Sequence, residues 1–157
     1  MCRGYGANWE TAVRTGIEFR IIWSDSDVVK IRVSACDGEF SGSVEAYAVV
    51  GGLNGVAERL SGFPQSPSDM REVTLGAFDR KVAGGGLRMK FHCVDSAGHA
   101  FVEATLYTNQ EKGGTVQMAV LSVPVEPAAI DIFVRELHEL ESDESRVAYL
   151  QGISDLN

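Results

Sequence analysis

The sequence predicts an α+β domain: a single antiparallel sheet of about six or seven strands with two helices packed on one side. Three observations predict it. Period-two alternation of apolar and polar residues recurs along most of the chain, as in Ile17-Glu18-Phe19-Arg20-Ile21 and Leu87-Arg88-Met89-Lys90-Phe91, the pattern of strands with one buried face. Successive strands are separated by short polar or glycine-rich turns of hairpin type. Two segments switch to helical spacing.

Composition agrees with one ordinary globular domain. The chain has 157 residues, 45% hydrophobic and 23% charged, which excludes disordered, collagen-like and coiled-coil classes. The longest uncharged stretches, Ala46–Ala57 and Thr115–Val125, are shorter than the roughly 18–20 residues of a membrane-spanning helix. Met1-Cys2-Arg3-Gly4-Tyr5 opens no apolar run of the kind a secretory signal needs, so the expected location is cytoplasmic. Cys2, Cys36 and Cys93 are odd in number and lack CxxC spacing, and reduced thiols are expected.

In chain order, residues 1–15 read as a loose N-terminal segment, 16–141 as the domain and 142–157 as an acidic tail or a short docked helix. Ile17, Phe19 and Ile21, then Val29, Ile31 and Val33, make two strands joined at Ser24-Asp25-Ser26-Asp27. After a turn at Cys36-Asp37-Gly38-Glu39 comes a third strand, Phe40–Val50, with Val44, Ala46 and Ala48 on one face. Leu53, Val56, Ala57 and Leu60 fall at helical spacing, with Asn54 helping to cap the start and Gly62 and Pro64 ending the helix. Ser61–Asp69 is a loop and Glu72–Phe78 a short strand. Leu87, Met89, Phe91 and Cys93 form the next strand, Asp95-Ser96-Ala97-Gly98 a hairpin turn, and His99–Thr108 and Val116–Val123 complete a meander. Glu126-Pro127 then opens the second helix, whose stripe is Ile130, Phe133, Val134, Leu137 and Leu140. A last apolar cluster, Val147, Tyr149, Leu150 and Ile153, lies in the tail.

Charge separates the two ends. The net charge is −8; eight acids against two bases after residue 125 give −6 there and leave −2 for the first 125 residues. Such a chain repels phosphate backbones, so no nucleic-acid partner is expected, whereas a localised acidic surface steers a basic protein. The residues proposed for that surface are Glu136, Glu139, Glu141, Asp143 and Glu144.

Other constellations fall short of chemistry. His92, Cys93 and His99 invite a metal, with His138 in reserve, but neighbouring strand residues point to opposite faces and two ligands are too few. No GxSxG elbow is present, and Cys36 beside Asp37 has no histidine partner in sequence. Gly51-Gly52-Leu53-Asn54-Gly55 follows a strand and precedes a helix yet lacks the GxGxxG register. No catalytic residue, metal or cofactor is therefore assigned.

The order of motifs supplies a resemblance. Asp37-Gly38-Glu39-Phe40-Ser41-Gly42-Ser43, Leu53…Leu60 with Phe63, Val73-Thr74-Leu75, Leu87…Phe91, Asp95…Gly98-His99 and Ile130…Phe133…Leu137 together resemble a group of small bacterial proteins that includes the WapI-type immunity proteins of polymorphic toxin systems. The resemblance spans about residues 17–140 and rests on core and turn positions; the last helix departs from it by entering through Glu126-Pro127-Ala128-Ala129. It implies a non-catalytic module neutralising a toxin. Two other classes stand beside that one: a small-molecule binder or enzyme with a pocket on the open sheet face near Trp23, Tyr47, His92 and His99, and a domain that self-associates through a sheet edge.

Overall fold

A computed structural model describes residues 14–109 and 115–154. The elements are β1 (Gly16–Ser24), β2 (Val28–Cys36), β3 (Ser41–Val49), α1 (Gly52–Leu60), β4 (Met70–Gly76), β5 (Gly86–Cys93), β6 (Ala100–Asn109), β7 (Val116–Val125), α2 (Pro127–Ser142) and β8 (Ala148–Gln151). Among the described residues the fold is α+β with two helices, as the periodicities predict, but the strands form two four-stranded antiparallel sheets, ordered β3-β2-β1-β8 and β4-β5-β6-β7. That replaces the single sheet of six or seven strands. Alternation specifies which face of a strand is buried, not which strand lies beside it; α1 and the 61–69 loop separate one meander from the next.

The residues singled out by alternation do face inward. Ile17, Phe19, Val29, Ile31, Val33, Val44 and Ala48 of the first sheet share one apolar cluster with Leu87, Met89, Phe91, Val102, Val123 and Val125 of the second. Both helices contribute to the same cluster through Leu53, Val56, Leu60, Ile130, Phe133, Leu137 and Leu140. Phe133 meets Phe19 edge-on at 5.4 Å, and Phe63, just beyond α1, meets Phe91 at 5.9 Å. The helices thus bind both sheets into one core instead of covering one side of a single sheet.

The tail corrects a second expectation. Ala148–Gln151 is a strand, not a docked helix, and pairs with the start of β1 through Phe19↔Ala148, Ile17↔Leu150 and Gly16↔Gln151. Its inward residues Ala148 and Leu150 are fully buried. A four-residue strand carries too little periodicity to announce itself; it exists because β1 offers an edge. Of the N-terminal segment 1–15, residues 1–13 lie outside the described residues. Cys36 is disulfide-bonded and Cys93 is free, which replaces the expectation of reduced thiols throughout.

Candidate functional site

A cleft of about 940 Å³ opens between the outer face of β2–β3 and the 77–85 loop. Alternation builds one wall. With Val29, Ile31 and Val33 committed to the core, Lys30 and Arg32 must point outward, opposite Tyr47 and Glu45 of β3 respectively. The loop builds the other. Gly85 N–H donates to the carbonyl of Glu45 at 2.8 Å, pinning the loop to the β3 edge. Gly84 sits at φ +84 and a side chain there would press on the Tyr47 ring at 2.8 Å, so only glycine lets the loop come this close. Arg80 and Lys81 line the cleft from this loop.

Its charge opposes that of the chain. Among the described residues, four basic side chains, Lys30, Arg32, Arg80 and Lys81, line it with one acid, Glu45. Arg32 and Lys30 share that carboxylate at 3.1 and 3.5 Å, and the Arg32 hydrogen bond, aided by Lys30, holds it below the usual glutamate range. Lys30 also lies 5.5 Å from the centre of the Tyr47 ring. Lys81 has no ion pair among the described residues, and its backbone N–H donates to Asp79 Oδ1 at 2.9 Å. Thr108 lines the cleft as well, and its buried hydroxyl has no hydrogen-bond partner among the described residues. The site therefore gathers basic side chains from two separate segments around one cleft. Glu45 is held in its ionised form near neutral pH by these two cationic neighbours, Arg32 and Lys30.

The five C-terminal carboxylates behave differently. Glu141 accepts from the Leu53 and Asn54 amides at 3.2 and 3.3 Å. It thereby caps the first turn of α1, whose own N-cap, Gly51, has no side chain to offer. Asn54, expected to cap, instead meets His138 Nδ1 through Oδ1 at 2.7 Å. Glu136 accepts from Tyr149 N–H on the free edge of β8 at 3.0 Å. Glu139 binds Arg146 at 3.2 Å, and Asp143 accepts from the Ser145 amide and hydroxyl at 3.1 and 2.6 Å. Those Ser145 bonds lower the Asp143 pKa. Glu144 is exposed, with no hydrogen bond or ion pair among the described residues.

The histidines and Cys93 are dispersed. His92 stacks on Phe101 at 6.2 Å. Cys93 Sγ lies 3.9 Å from the Ser66 carbonyl, and burial, with Asp69 and Asp95 nearby, pushes its thiol up. His99 pairs with Asp95 at 2.6 Å. Among the described residues, no three His, Cys, Asp or Glu side chains converge as a metal would require. Trp23 and Tyr47 do meet, edge-on at 6.4 Å, but His92 and His99 belong to the other sheet and its hairpin, so the four form no common pocket. Sequence reasoning missed Lys30, Arg32, Arg80 and Lys81. The available signal was a β2 face whose outward charges are all positive; what joins it to Arg80 and Lys81 is a loop contact that no local pattern encodes. Comparison with protein families, with curated proteins and with solved structures finds no match.

Proposed function

We propose that this chain is a non-catalytic binding domain whose ligand is a small polyanion, carrying phosphate or carboxylate groups, held in the β2–β3 cleft. The observation that carries the reading is the four-to-one excess of basic over acidic residues among the described residues of the lining, in a protein of net charge −8. A cleft of about 940 Å³ falls within the size range of small-molecule sites. Clustered cations in a concave wall concentrate the local field for an anion. The Tyr47 ring, packed by Gly84, gives the ligand a fixed flat surface. Backbone amide spectra recorded while inorganic pyrophosphate is titrated in test this directly. Shifts are expected at Lys81, Gly84, Gly85 and Tyr47, with affinity falling as salt rises. Lys81→Glu should weaken binding about tenfold, equivalent to about 1.4 kcal/mol. Unmoved cleft amides, or a Lys81→Glu variant that binds as well as the parent, would overturn the reading.

The resemblance to toxin-neutralising proteins motivates a second reading, a basic protein partner on the acidic C-terminal surface. Glu144, exposed and without an internal partner among the described residues, favours it. Glu136, Glu139, Glu141 and Asp143 would each have to leave an internal bond to join such an interface. Association with a basic domain that slows on Glu144→Lys at low salt would favour this second reading over the first.

A further inference from the structure

The four edge strands of the two sheets are not treated alike. At β3 the Glu45 carbonyl takes the Gly85 amide. At β4 the Glu72 carbonyl takes Arg59 Nε at 3.3 Å. At β8, only four residues long, the Tyr149 amide is taken by the Glu136 carboxylate. At β7 the Pro124 carbonyl takes the Ile153 amide at 2.7 Å, and no hydrogen bond among the described residues protects the free edge of Val116–Ser122. That stretch also lacks the charges that usually guard an edge: β7 reads VQMAVLSVPV, without one acidic or basic residue.

The direction of the open groups follows from Pro124. Its carbonyl points away from β6, and the pairing of β7 with β6 is continuous from Val116 to Val125 without a shift. Backbone groups alternate sides along a strand, so those of Ser122, Val120, Met118 and Val116 also point to the free edge. The side chains of Met118 and Val120 are each 60% exposed. The open stretch is bounded by the strand start at Val116 and by the Ile153 contact beyond Ser122, and Ala119 is its centre.

We propose that β7 pairs antiparallel with β7 of a second copy of this chain about a two-fold axis at Ala119, joining two four-stranded sheets into one of eight strands. This pairing sets Met118 against Val120 of the second copy and Val116 against its Ser122, so the exposed apolar side chains cover each other and these four residues meet partners whose backbone groups are also open. A second copy suits the stretch because it is self-complementary in this register. Molecules of net charge −8 repel one another, and the contact falls where like charges do not meet. An isologous contact of this kind closes at two and does not propagate.

Sedimentation of the full chain over a range of concentrations tests the proposal. A dimer is expected that tightens as salt screens the net charge, and Met118→Lys with Val120→Lys should abolish it while circular dichroism stays unchanged. Register is read by oxidative cross-linking. The Ala119 residues of the two copies form a non-hydrogen-bonded pair with Cα atoms about 4.5 Å apart, within disulfide reach, so Ala119→Cys should give a covalent dimer. Gln117→Cys, facing Leu121 of the second copy, should cross-link far more slowly, and the parent chain not at all. A parent that stays monomeric at its highest soluble concentration overturns the proposal. So does a dimer that survives the double lysine variant, or one in which Gln117→Cys cross-links as readily as Ala119→Cys.

Discussion

The acidic face of α2 and the basic wall of β2–β3 both carry dense charge of one sign, yet they use it in opposite ways. Along α2 the carboxylates reach inward to backbone and arginine: Glu141 to the α1 amides, Glu136 to the β8 edge and Glu139 to Arg146. Along β2–β3 two cations share one carboxylate, and a loop brings two more basic residues to the same cleft. A count of charges singles out the acidic end; the placement of partners shows that Glu136, Glu139, Glu141 and Asp143 are already engaged within the chain. A charge that already satisfies a buried or edge amide is costly to redirect, because the amide would lose its acceptor.

The comparison breaks most severely if α2 is not firmly docked. Phe133 is fully buried against Phe19, and Phe133→Ala is expected to destabilise the fold by about 3–5 kcal/mol through lost burial and a cavity. Urea unfolding measures this. A much smaller value would mean that α2 is loosely held and its carboxylates are free after all.

Next in size, Glu141→Ala removes the acceptor for two amides of α1, and a loss of about 1–2 kcal/mol is expected. Glu144→Ala should stay within about 0.5 kcal/mol. Equal effects in the two variants would erase the distinction between structural and free carboxylates. On the basic side the contrast is reversed. Lys81→Glu should shift stability by no more than about 0.5 kcal/mol while lowering pyrophosphate affinity as stated above, a binding loss without a folding loss.

The smallest effect belongs to a pair outside both regions. Asp95 lowers its own pKa chiefly by binding His99, and the same bond raises His99. The His99 contribution is present below the ordinary histidine value of about 6.5 and is lost as pH rises through its raised folded value. The Asp95 contribution is present above about 3.9 and is lost as pH falls through its lowered folded value. Hairpin stability, followed by amide exchange of residues 93–100, should therefore peak between those limits. His99→Gln should flatten the profile and leave the anion titration unchanged. A peak that persists in His99→Gln would assign the pH dependence elsewhere.

Much of the secondary structure was legible because its causes are local. The alternations at Ile17–Ile21, Val29–Val33 and Leu87–Phe91 located three strands and named their inward residues, all buried except the half-buried Ile21. The stripe Ile130, Phe133, Val134, Leu137 and Leu140 located α2 and its buried side, with Val134 only half-buried, and Pro127 its start. The candidate site was legible only in part. Tyr47 and Trp23 were singled out for a pocket, but their histidine companions were wrong and the cations were overlooked. Lys30 and Arg32 look like ordinary solvent-facing residues until the 77–85 loop folds over them.

The sequence by itself determined the helix and strand classes up to residue 142 and the face those elements bury, the turns at Ser24–Asp27 and Asp95–Gly98, and the net charge of each end. Tertiary structure alone decided that the strands divide into two sheets, that Ala148–Gln151 becomes a strand beside β1, that Glu141 caps a helix 87 and 88 residues away, and that Lys30, Arg32, Arg80 and Lys81 share a cleft. The physical reason is range. Periodicity, turn chemistry and proline geometry act over a few residues and leave their mark in the local pattern. Strand partnership and charge partnership are fixed by which surfaces meet once the common core has formed, and residues far apart in the chain carry no mark of that meeting.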